Sequence, residues 1–258
     1  HIKLTTSLLK GGETEARKMF KKFLRNIASY GELHNDMATD GTSKLSAYLH
    51  FGCISPLEIE TMLPDNAGSA AWNRQLAWRE FYNYILYRFP ETARLEFQER
   101  YQSFSWKSAP KLLKAWQEGV TGYPIVDAAM RQLKTEGWMH NRGRLIVGSF
   151  LTKDLLIDWR HGEKHFMHWL VDGDKANNVG NWQWIASMGV DPAPVFRRLY
   201  NPSRQQTSYD PSGEYVRRYV KELSLVPSNY LAEPWTMPKE LQTQVKCIIG
   251  RDYPEPIV

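Results

Sequence analysis

The chain has 258 residues and a mass of 30.0 kDa, with 42% hydrophobic and 24% charged residues, which is ordinary for a globular domain. This composition excludes a disordered chain, a collagen and a coiled-coil rod, and no apolar run reaches the roughly 18 residues of a membrane span. Because only two cysteines are present, a disulfide framework and a cysteine-rich metal or iron–sulfur site are excluded within this chain, and a reducing cytoplasm is the expected location.

Charge and aromatic content are less ordinary. The net charge is +5 and the pI is near 9.1, which favours a polyanionic partner. The aromatic residues are 10 Trp, 13 Tyr and 10 Phe. Because an indole ring is large and its N–H needs a hydrogen-bond partner, so many tryptophans indicate a large aromatic core or a use of indole rings as stacking or redox groups.

Apolar residues repeat mostly at helical spacing, so we predict an all-α fold. Pro90 and Gly137 are expected to end two of the helices. One short β-like run is present at 245–249. The predicted helices cover residues 13–29, 70–89, 124–133, 142–159 and 163–170.

Long polar segments separate these helices, at residues 31–46, 172–181 and 201–213. Loops of this length in a compact domain are often functional, so each is a candidate binding segment. Residues 1–12 are predicted to be the remnant of an interdomain linker. Residues 13–258 are predicted to form one helical domain whose C-terminal end is truncated.

Segment 41–46 has the sequence Gly-Thr-Ser-Lys-Leu-Ser and precedes an apolar stretch. Hydroxyl groups, backbone N–H groups and one cation at the start of a helix suit a pyrophosphate. The alternative is an ordinary helix N-cap, which Thr and Ser form often. No G-x-G-x-x-G or Walker motif occurs, which excludes ordinary Rossmann and P-loop chemistry.

Segment 137–144 places two arginines near an asparagine and a tryptophan. Such a set could grip a phosphate and stack on a base. The alternative is a solvated helix start with one buried indole ring, and the segment alone favours this alternative.

Two patterns resemble metal sites and fail on inspection. The spacing from Asp172 suggests a calcium loop, but Asn177 and Gln183 stand where glycine and an acidic residue are required. His161 and His165 have the spacing of a zinc protease, but the glutamate between them is one position off. No metal site is therefore predicted.

Five segments follow one another in an order that is highly specific: 42–46, 78–82, 121–133, 138–144 and 172–184. Together they resemble the helical FAD-binding domain of the DNA photolyase/cryptochrome family, across nearly the whole chain. The resemblance is greatest to bacterial photolyases that repair cyclobutane pyrimidine dimers. It implies that the family's N-terminal α/β antenna domain, which carries the antenna chromophore, is missing from this sequence.

The resemblance implies a bent FAD that is active as the reduced anion. Arg144 would pair with Asp172 and counter the negative charge of the reduced flavin, while Asn178 would face flavin N5. The implied cofactor-binding residues are Tyr30, Thr42, Ser43, Lys44, Leu45, Ser46, Asn141, Arg144, Asp172, Gly173, Asp174 and Asn178.

The implied reaction is light-driven electron transfer to a pyrimidine dimer flipped out of UV-damaged DNA, which opens the cyclobutane ring. Trp78 and Trp184 would stack against the dimer, and arginines would hold backbone phosphates. The protein is expected to act as a monomer, away from membranes. The implied lesion-contacting residues are Gln75, Trp78, Arg79, Asn141, Arg142, Leu145 and Trp184.

Trp106, Trp159 and Trp182 match the family's electron-transfer chain, which re-reduces oxidised flavin from the surface inward. The resemblance assigns these three tryptophans and Asn178 their roles in the reaction. Without the resemblance, each tryptophan is better explained as a residue of the core.

Two positions depart from the family pattern. Gln75 stands where many dimer photolyases have glutamate, and Leu145 stands where methionine is usual. Glutamine can still hydrogen-bond but supplies neither charge nor proton. Two alternatives therefore stay open: a cryptochrome-like photoreceptor that binds FAD without repairing DNA, and an inactive FAD-binding module. The (6-4) branch is disfavoured, because it has histidines where this chain has Asn141 and Leu145.

Overall fold

Helices follow one another through residues 9–39, 41–191 and 198–258, which are the parts of the chain that the computed structural model describes. The first helices are α1 (Glu13–Leu24), α2 (Tyr30–Leu33), α3 (Ser46–His50), α4 (Pro56–Met62), α5 (Ala67–Arg88) and α6 (Pro110–Glu118). The later ones are α7 (Pro124–Glu136), α8 (Asn141–Ser149), α9 (Trp159–Trp169), α10 (Lys175–Ala186), α11 (Pro202–Tyr209), α12 (Glu214–Tyr219) and α13 (Lys239–Gln244). The prediction of an all-α fold is confirmed.

Two of the predicted helices have the expected start and stop signals. Helix α5 begins after Asn66, whose side chain accepts a hydrogen bond from Ser69 N at 2.9 Å, and it ends before Pro90. Helix α7 has Pro124 in its first turn and ends at Gly137, which has φ of 63°. None of the described helices combines the length and the apolar character that a membrane crossing requires.

The prediction of one helix over 142–159 is wrong. Helix α8 ends at Ser149, a π-helical turn covers Phe150–Asp154, and α9 starts at Trp159. The break has a local cause, because Leu156 has φ of 55° and the carboxylate of Asp158 caps the next helix by accepting from Arg160 N at 2.9 Å.

Two predicted loops contain helices, α10 and α11. Asp174 and Asn201 cap them by accepting hydrogen bonds from backbone N–H groups at 2.8 and 2.9 Å. The polar residues that suggested loops are therefore helix N-caps, which use the same residue types. The β-like run at 245–249 forms no strand, and Ile249 makes an isolated bridge to Tyr253.

Apolar side chains form two buried clusters. The N-terminal cluster is built from α1 to α5 and includes Phe20, Ile59 and Trp72. The larger C-terminal cluster is built from α6 to α10 and from the segments that follow α11, with Trp116 and Phe150 fully buried. Helix α5 packs against α10, so the two clusters meet along these helices. Residues 1–8 of the predicted linker lie outside the described residues.

A buried carboxylate joins the start of α7 to the C-terminal segment. Asp127 accepts hydrogen bonds from Thr121 N and Oγ1, both at 2.7 Å, and from Gly122 N at 3.1 Å. The hydroxyl of Tyr253 donates to its Oδ2 at 2.6 Å. Burial raises the pKa of Asp127, and these donors oppose the rise.

Replacing Tyr253 with phenylalanine is expected to lower the free energy of unfolding by about 1.5–3 kcal/mol, because a buried carboxylate loses a donor. Chemical denaturation measures this loss. The matched control is Tyr87→Phe, since Tyr87 is 82% exposed. Equal stability of the two variants would mean that the Tyr253 hydroxyl does not stabilise the fold.

Candidate functional site

A cavity of about 560 Å³ lies between the two apolar clusters and opens to solvent, a size typical of small-molecule sites. Its wall is formed by α2, α3 and α5 on one side and by α8, α9 and α10 on the other. All residues assigned to cofactor binding from the resemblance line this cavity: Tyr30, Thr42, Ser43, Lys44, Leu45, Ser46, Asn141, Arg144, Asp172, Gly173, Asp174 and Asn178.

A buried ion pair forms part of the wall. Arg144 Nη2 donates to Asp172 Oδ2 at 2.8 Å, and Arg144 Nε donates to the Met139 carbonyl at 2.9 Å. The side chain of Asp172 is only 2% exposed, whereas that of Arg144 is 27% exposed. The second carboxylate oxygen, Asp172 Oδ1, is buried and has no hydrogen-bond partner among the described residues. Because such an atom is costly to leave unsatisfied, it is an acceptor suited to an N–H group of a bound ligand.

The side chain of Asn178 is held in one orientation. Its Nδ2 donates to the Glu163 carbonyl at 2.9 Å and to Glu163 Oε1 at 3.2 Å. Lys175 Nζ donates to the same carboxylate oxygen at 2.9 Å. Because the amide nitrogen of Asn178 is bound to Glu163, its amide oxygen is the group that can accept a hydrogen bond from a ligand in the cavity.

The 41–46 segment does not cap a helix with its hydroxyl groups. Helix α3 begins after Leu45 and has no side-chain cap, while Ser43 Oγ accepts from Leu45 N at 3.3 Å within the loop. Lys44 has φ of 51°, and its Nζ lies 5.4 Å from the ring centre of Trp138. The N-cap interpretation is therefore wrong, and the loop presents hydroxyl groups and a cation to the cavity.

Two tryptophans line the cavity, and each packs against a neighbouring side chain. Trp78 is 49% exposed and stacks on Tyr82, with ring centres 5.9 Å apart and an interplanar angle of 28°. Trp184 packs against Arg198, whose guanidinium carbon lies 3.9 Å from its ring centre. Burial raises the pKa of Tyr82 to about 12, so its phenol stays neutral. Both indole rings are thereby held where a planar group can stack on them.

The remaining residues assigned to the lesion line the same cavity. Arg142 Nε donates to Asn35 Oδ1 at 2.8 Å, and its guanidinium carbon lies 4.5 Å from the ring centre of Tyr209. Arg79 forms an ion pair with Glu80, so its charge is partly compensated. The predicted lesion-contacting residues in the cavity wall are Gln75, Trp78, Arg79, Asn141, Arg142, Leu145 and Trp184.

The three tryptophans of the predicted electron-transfer chain lie at different depths. Trp182 lines the cavity and is 3% exposed, Trp159 is fully buried, and Trp106 is half-buried. The Trp182 ring lies against α9 at Gly162, where an added Cβ would be 2.2 Å from Cη2 of the ring. Trp159 begins that same helix, one turn before Gly162.

Sequence reasoning missed one residue that lines the cavity and two that hold lining residues in place. His34 lines the cavity and stacks on Tyr30, with ring centres 4.8 Å apart, and the spacing of four residues on a helix was an available signal. His140 caps α8 by accepting from Arg142 N at 3.2 Å. Burial lowers the pKa of His140 to about 4, so the neutral ring that accepts this bond persists at neutral pH. Arg198 lies outside every motif, and no local signal pointed to it.

The described residues contain no cluster of three or more His, Cys, Asp or Glu side chains arranged for a metal ion. The carboxylate of Glu163, within the rejected zinc-like pattern, is bound by Asn178 and Lys175.

The domain is all-α, and carboxylate, amide and aromatic side chains line a cavity between its two apolar clusters. These features are typical of helical cofactor-binding domains. A sequence model described as the FAD binding domain of DNA photolyase matches residues 72–258. The chain belongs to this DNA photolyase family, of which it contains the FAD-binding domain.

Relatives and solved structures agree with this assignment. A deoxyribodipyrimidine photo-lyase of Alkalihalophilus pseudofirmus is 43% identical over 96% of this chain and 52% of its own length. The crystal structure of a class III photolyase from Agrobacterium tumefaciens has a TM-score of 0.91 and 41% identity, covering 96% of this chain and 52% of its own. A Synechocystis cryptochrome structure has a TM-score of 0.91 at 32% identity, covering 100% of this chain and 56% of its own. The chain thus spans about half the length of the curated relatives it matches.

Proposed function

We propose that this chain is the catalytic domain of a light-driven DNA repair enzyme that uses FAD to split cyclobutane pyrimidine dimers. The observation that carries the proposal is the cavity itself, because the Arg144–Asp172 ion pair, Asn178 and the 42–46 loop all line it. Relatives that are 43% and 44% identical over nearly the whole chain are named deoxyribodipyrimidine photo-lyase, which supports the reaction type.

The residues present fit a flavin dinucleotide. The free oxygen of Asp172 suits an N–H of the flavin ring, and the Asn178 oxygen suits a second N–H. Arg144 compensates the Asp172 carboxylate and also lines the cavity, where its guanidinium group can donate a hydrogen bond to a ligand anion. The hydroxyl groups of the 42–46 loop and Lys44 suit the phosphates.

When bound in its reduced form, FAD would supply the excited-state electron that opens the dimer. The chain's own residues then have three tasks. Trp78 and Trp184 stack on the flipped-out pyrimidines and exclude water, and Arg142 holds a backbone phosphate, which makes binding salt-dependent. The Arg144–Asp172 pair keeps the flavin environment fixed while charge moves.

We further propose UV-damaged DNA as the partner and a monomer as the acting form. The net charge of +5 and the aromatic cavity mouth support a nucleic acid ligand. A cytoplasmic site of action, in contact with chromosomal DNA, follows from that substrate.

The test is illumination of the reduced, FAD-containing protein with an oligonucleotide that carries one cyclobutane dimer. We expect the dimer to disappear in the light and to persist in the dark control. An unchanged dimer count would falsify the proposal. The absorbance spectrum of the purified protein is recorded first, because an absence of flavin bands would identify an inactive module.

A cryptochrome-like photoreceptor is the second candidate. Gln75 and Leu145 line the cavity mouth at positions where they depart from the family pattern, and one similar structure is named a cryptochrome. This candidate predicts bound FAD that changes colour under blue light with no loss of dimers. Light-dependent repair would dismiss it.

Trp159→Phe is expected to slow the photoreduction of oxidised FAD strongly, while repair by pre-reduced protein stays close to the original rate. Phenylalanine preserves much of the packing but is far harder to oxidise than an indole. Flavin absorbance under blue light with an added thiol measures the effect. Trp235→Phe is the matched control and is expected to leave photoreduction unchanged. Trp235 packs on the ring of Tyr123, and neither Trp235 nor Tyr123 lines the cavity. Equal photoreduction in both variants would refute the proposed electron route.

A further inference from the structure

Trp159 is bound by a buried charged group that no motif includes. Its indole Nε1–H donates to Glu96 Oε1 at 3.2 Å, and Glu96 is only 3% exposed. Arg160 Nη2 donates to the other oxygen of Glu96 at 2.9 Å. The guanidinium carbon of Arg160 also lies 4.7 Å from the ring centre of Trp159. The indole ring therefore sits inside an ion-pair network.

This network carries one excess negative charge. Arg160 also binds both oxygens of Asp158, at 3.1 and 3.2 Å, so two carboxylates share one guanidinium. Burial tends to raise the pKa of Glu96, but hydrogen bonds from Arg160, from its own backbone and from Trp159 hold that pKa below its usual range. Glu96 is thus ionised at neutral pH, and its negatively charged carboxylate accepts the hydrogen bond from the indole N–H of Trp159.

Trp116 has its ring in contact with that of Trp182, and its indole N–H has no charged acceptor. Trp116 lies 6.2 Å from Trp182 between ring centres, but its N–H donates to the neutral carbonyl of Val147 at 3.0 Å. A nearby carboxylate favours an oxidised indole far more than a neutral carbonyl does.

We propose that Glu96 is a positioning residue that makes Trp159 the preferred electron donor to oxidised Trp182, ahead of Trp116. The inference rests on the proposed function, because it concerns the re-reduction of oxidised FAD in the same cavity. Bound oxidised FAD would supply the light-driven oxidant for Trp182, and Trp159 would then return one electron to Trp182. The positive charge moves to Trp159, whose indole proton stays in the N–H···O bond to Glu96. Trp106 next returns the electron to Trp159, and an added thiol finally supplies it.

The direct test is Glu96→Gln in the FAD-containing protein, because glutamine keeps the shape and an acceptor oxygen but removes the charge. We expect flavin photoreduction to slow by about tenfold or more, since a full charge at hydrogen-bond distance is lost. Transient absorption is expected to show less oxidised Trp159 and a longer-lived Trp182 radical. The Trp159 indole N–H resonance, identified through Trp159→Phe, is expected to shift as its acceptor becomes neutral.

Two further variants keep the test decisive. Glu99→Gln removes an exposed carboxylate three residues away and is expected to leave photoreduction unchanged. Asp158→Asn keeps an α9 cap but lowers the charge of the network, so it is expected to slow photoreduction in the same direction and by less. If Glu96→Gln fails to fold, this slowing still supports the inference.

The failure of this inference is distinguishable from that of the proposed function. Original rates in both Glu96→Gln and Asp158→Asn, together with slow photoreduction in Trp159→Phe, would overturn the role of Glu96 alone. An original rate in Trp159→Phe as well would overturn the electron route itself. If Glu99→Gln slowed photoreduction as much as Glu96→Gln, the inference would also be overturned. The slowing would then come from the loss of any nearby negative charge and not from the contact between Glu96 and Trp159.

Discussion

Arg144→Leu is expected to lower the free energy of unfolding by about 3–5 kcal/mol and to abolish stable FAD binding, because it leaves a buried carboxylate without its partner. The side chain of Asp172 is 2% exposed, and its bond to Arg144 at 2.8 Å is the ion pair that compensates it. Chemical denaturation measures the stability, and flavin absorbance after gel filtration measures the retained cofactor.

Two further variants separate charge from packing at this position. Arg251→Leu breaks an exposed pair with Asp252, where the arginine side chain is 71% exposed, and is expected to cost at most about 1 kcal/mol. Asp172→Asn added to Arg144→Leu removes the uncompensated charge and is expected to restore part of the stability but no FAD binding. A loss in Arg144→Leu no larger than that in Arg251→Leu would contradict this account of the ion pair.

Gly162→Ala is expected to lower stability by about 1–3 kcal/mol and to slow flavin photoreduction, because the new methyl group overlaps a rigid buried ring. An ideal Cβ at this position would lie 2.2 Å from Cη2 and 2.5 Å from Cζ2 and Cζ3 of Trp182. Either α9 or the indole ring must therefore move, and Trp182 forms part of the cavity wall. Thermal unfolding and blue-light photoreduction measure the two effects.

Gly31→Ala is the matched control for this substitution. Gly31 lies in α2, and a Cβ there would meet no atom within 4 Å. Alanine is expected to be neutral or to stabilise the protein by up to about 1 kcal/mol, because glycine has the greater backbone entropy in the unfolded chain. If Gly162→Ala matched this control in stability and in photoreduction, α9 would not fix the position of Trp182.

Local sequence signals predicted some helices well and others poorly. Helix α7 carries a clear apolar period, both α5 and α7 have clear start or stop residues, and the structure contains both. The sequence indicates loops over the first part of α10 and over α11, because the capping residues Asp174 and Asn201 belong to residue types that also favour turns. Residue type alone does not distinguish a cap from a turn.

The candidate site was predictable only as a set of segments. The resemblance gathered Tyr30, the 42–46 loop and Asp172 as residues of one site, and the structure brings them to one cavity. Their roles toward FAD and DNA stay predictions. Residues outside the recognised segments, such as Glu96 and Arg198, had no sequence signal, because their partners are other side chains brought close by folding.

The helical class and the chemistry-bearing segments can be predicted from the sequence, since periodicity, caps and motifs are local properties of consecutive residues. Which side chains meet depends on the folding of distant segments onto one another. Arg144 and Asp172 are 28 residues apart, and Glu96 and Trp159 are 63 residues apart. These pairs form because helices and loops far apart in the sequence pack around one large apolar cluster, and that packing is a property of the whole chain.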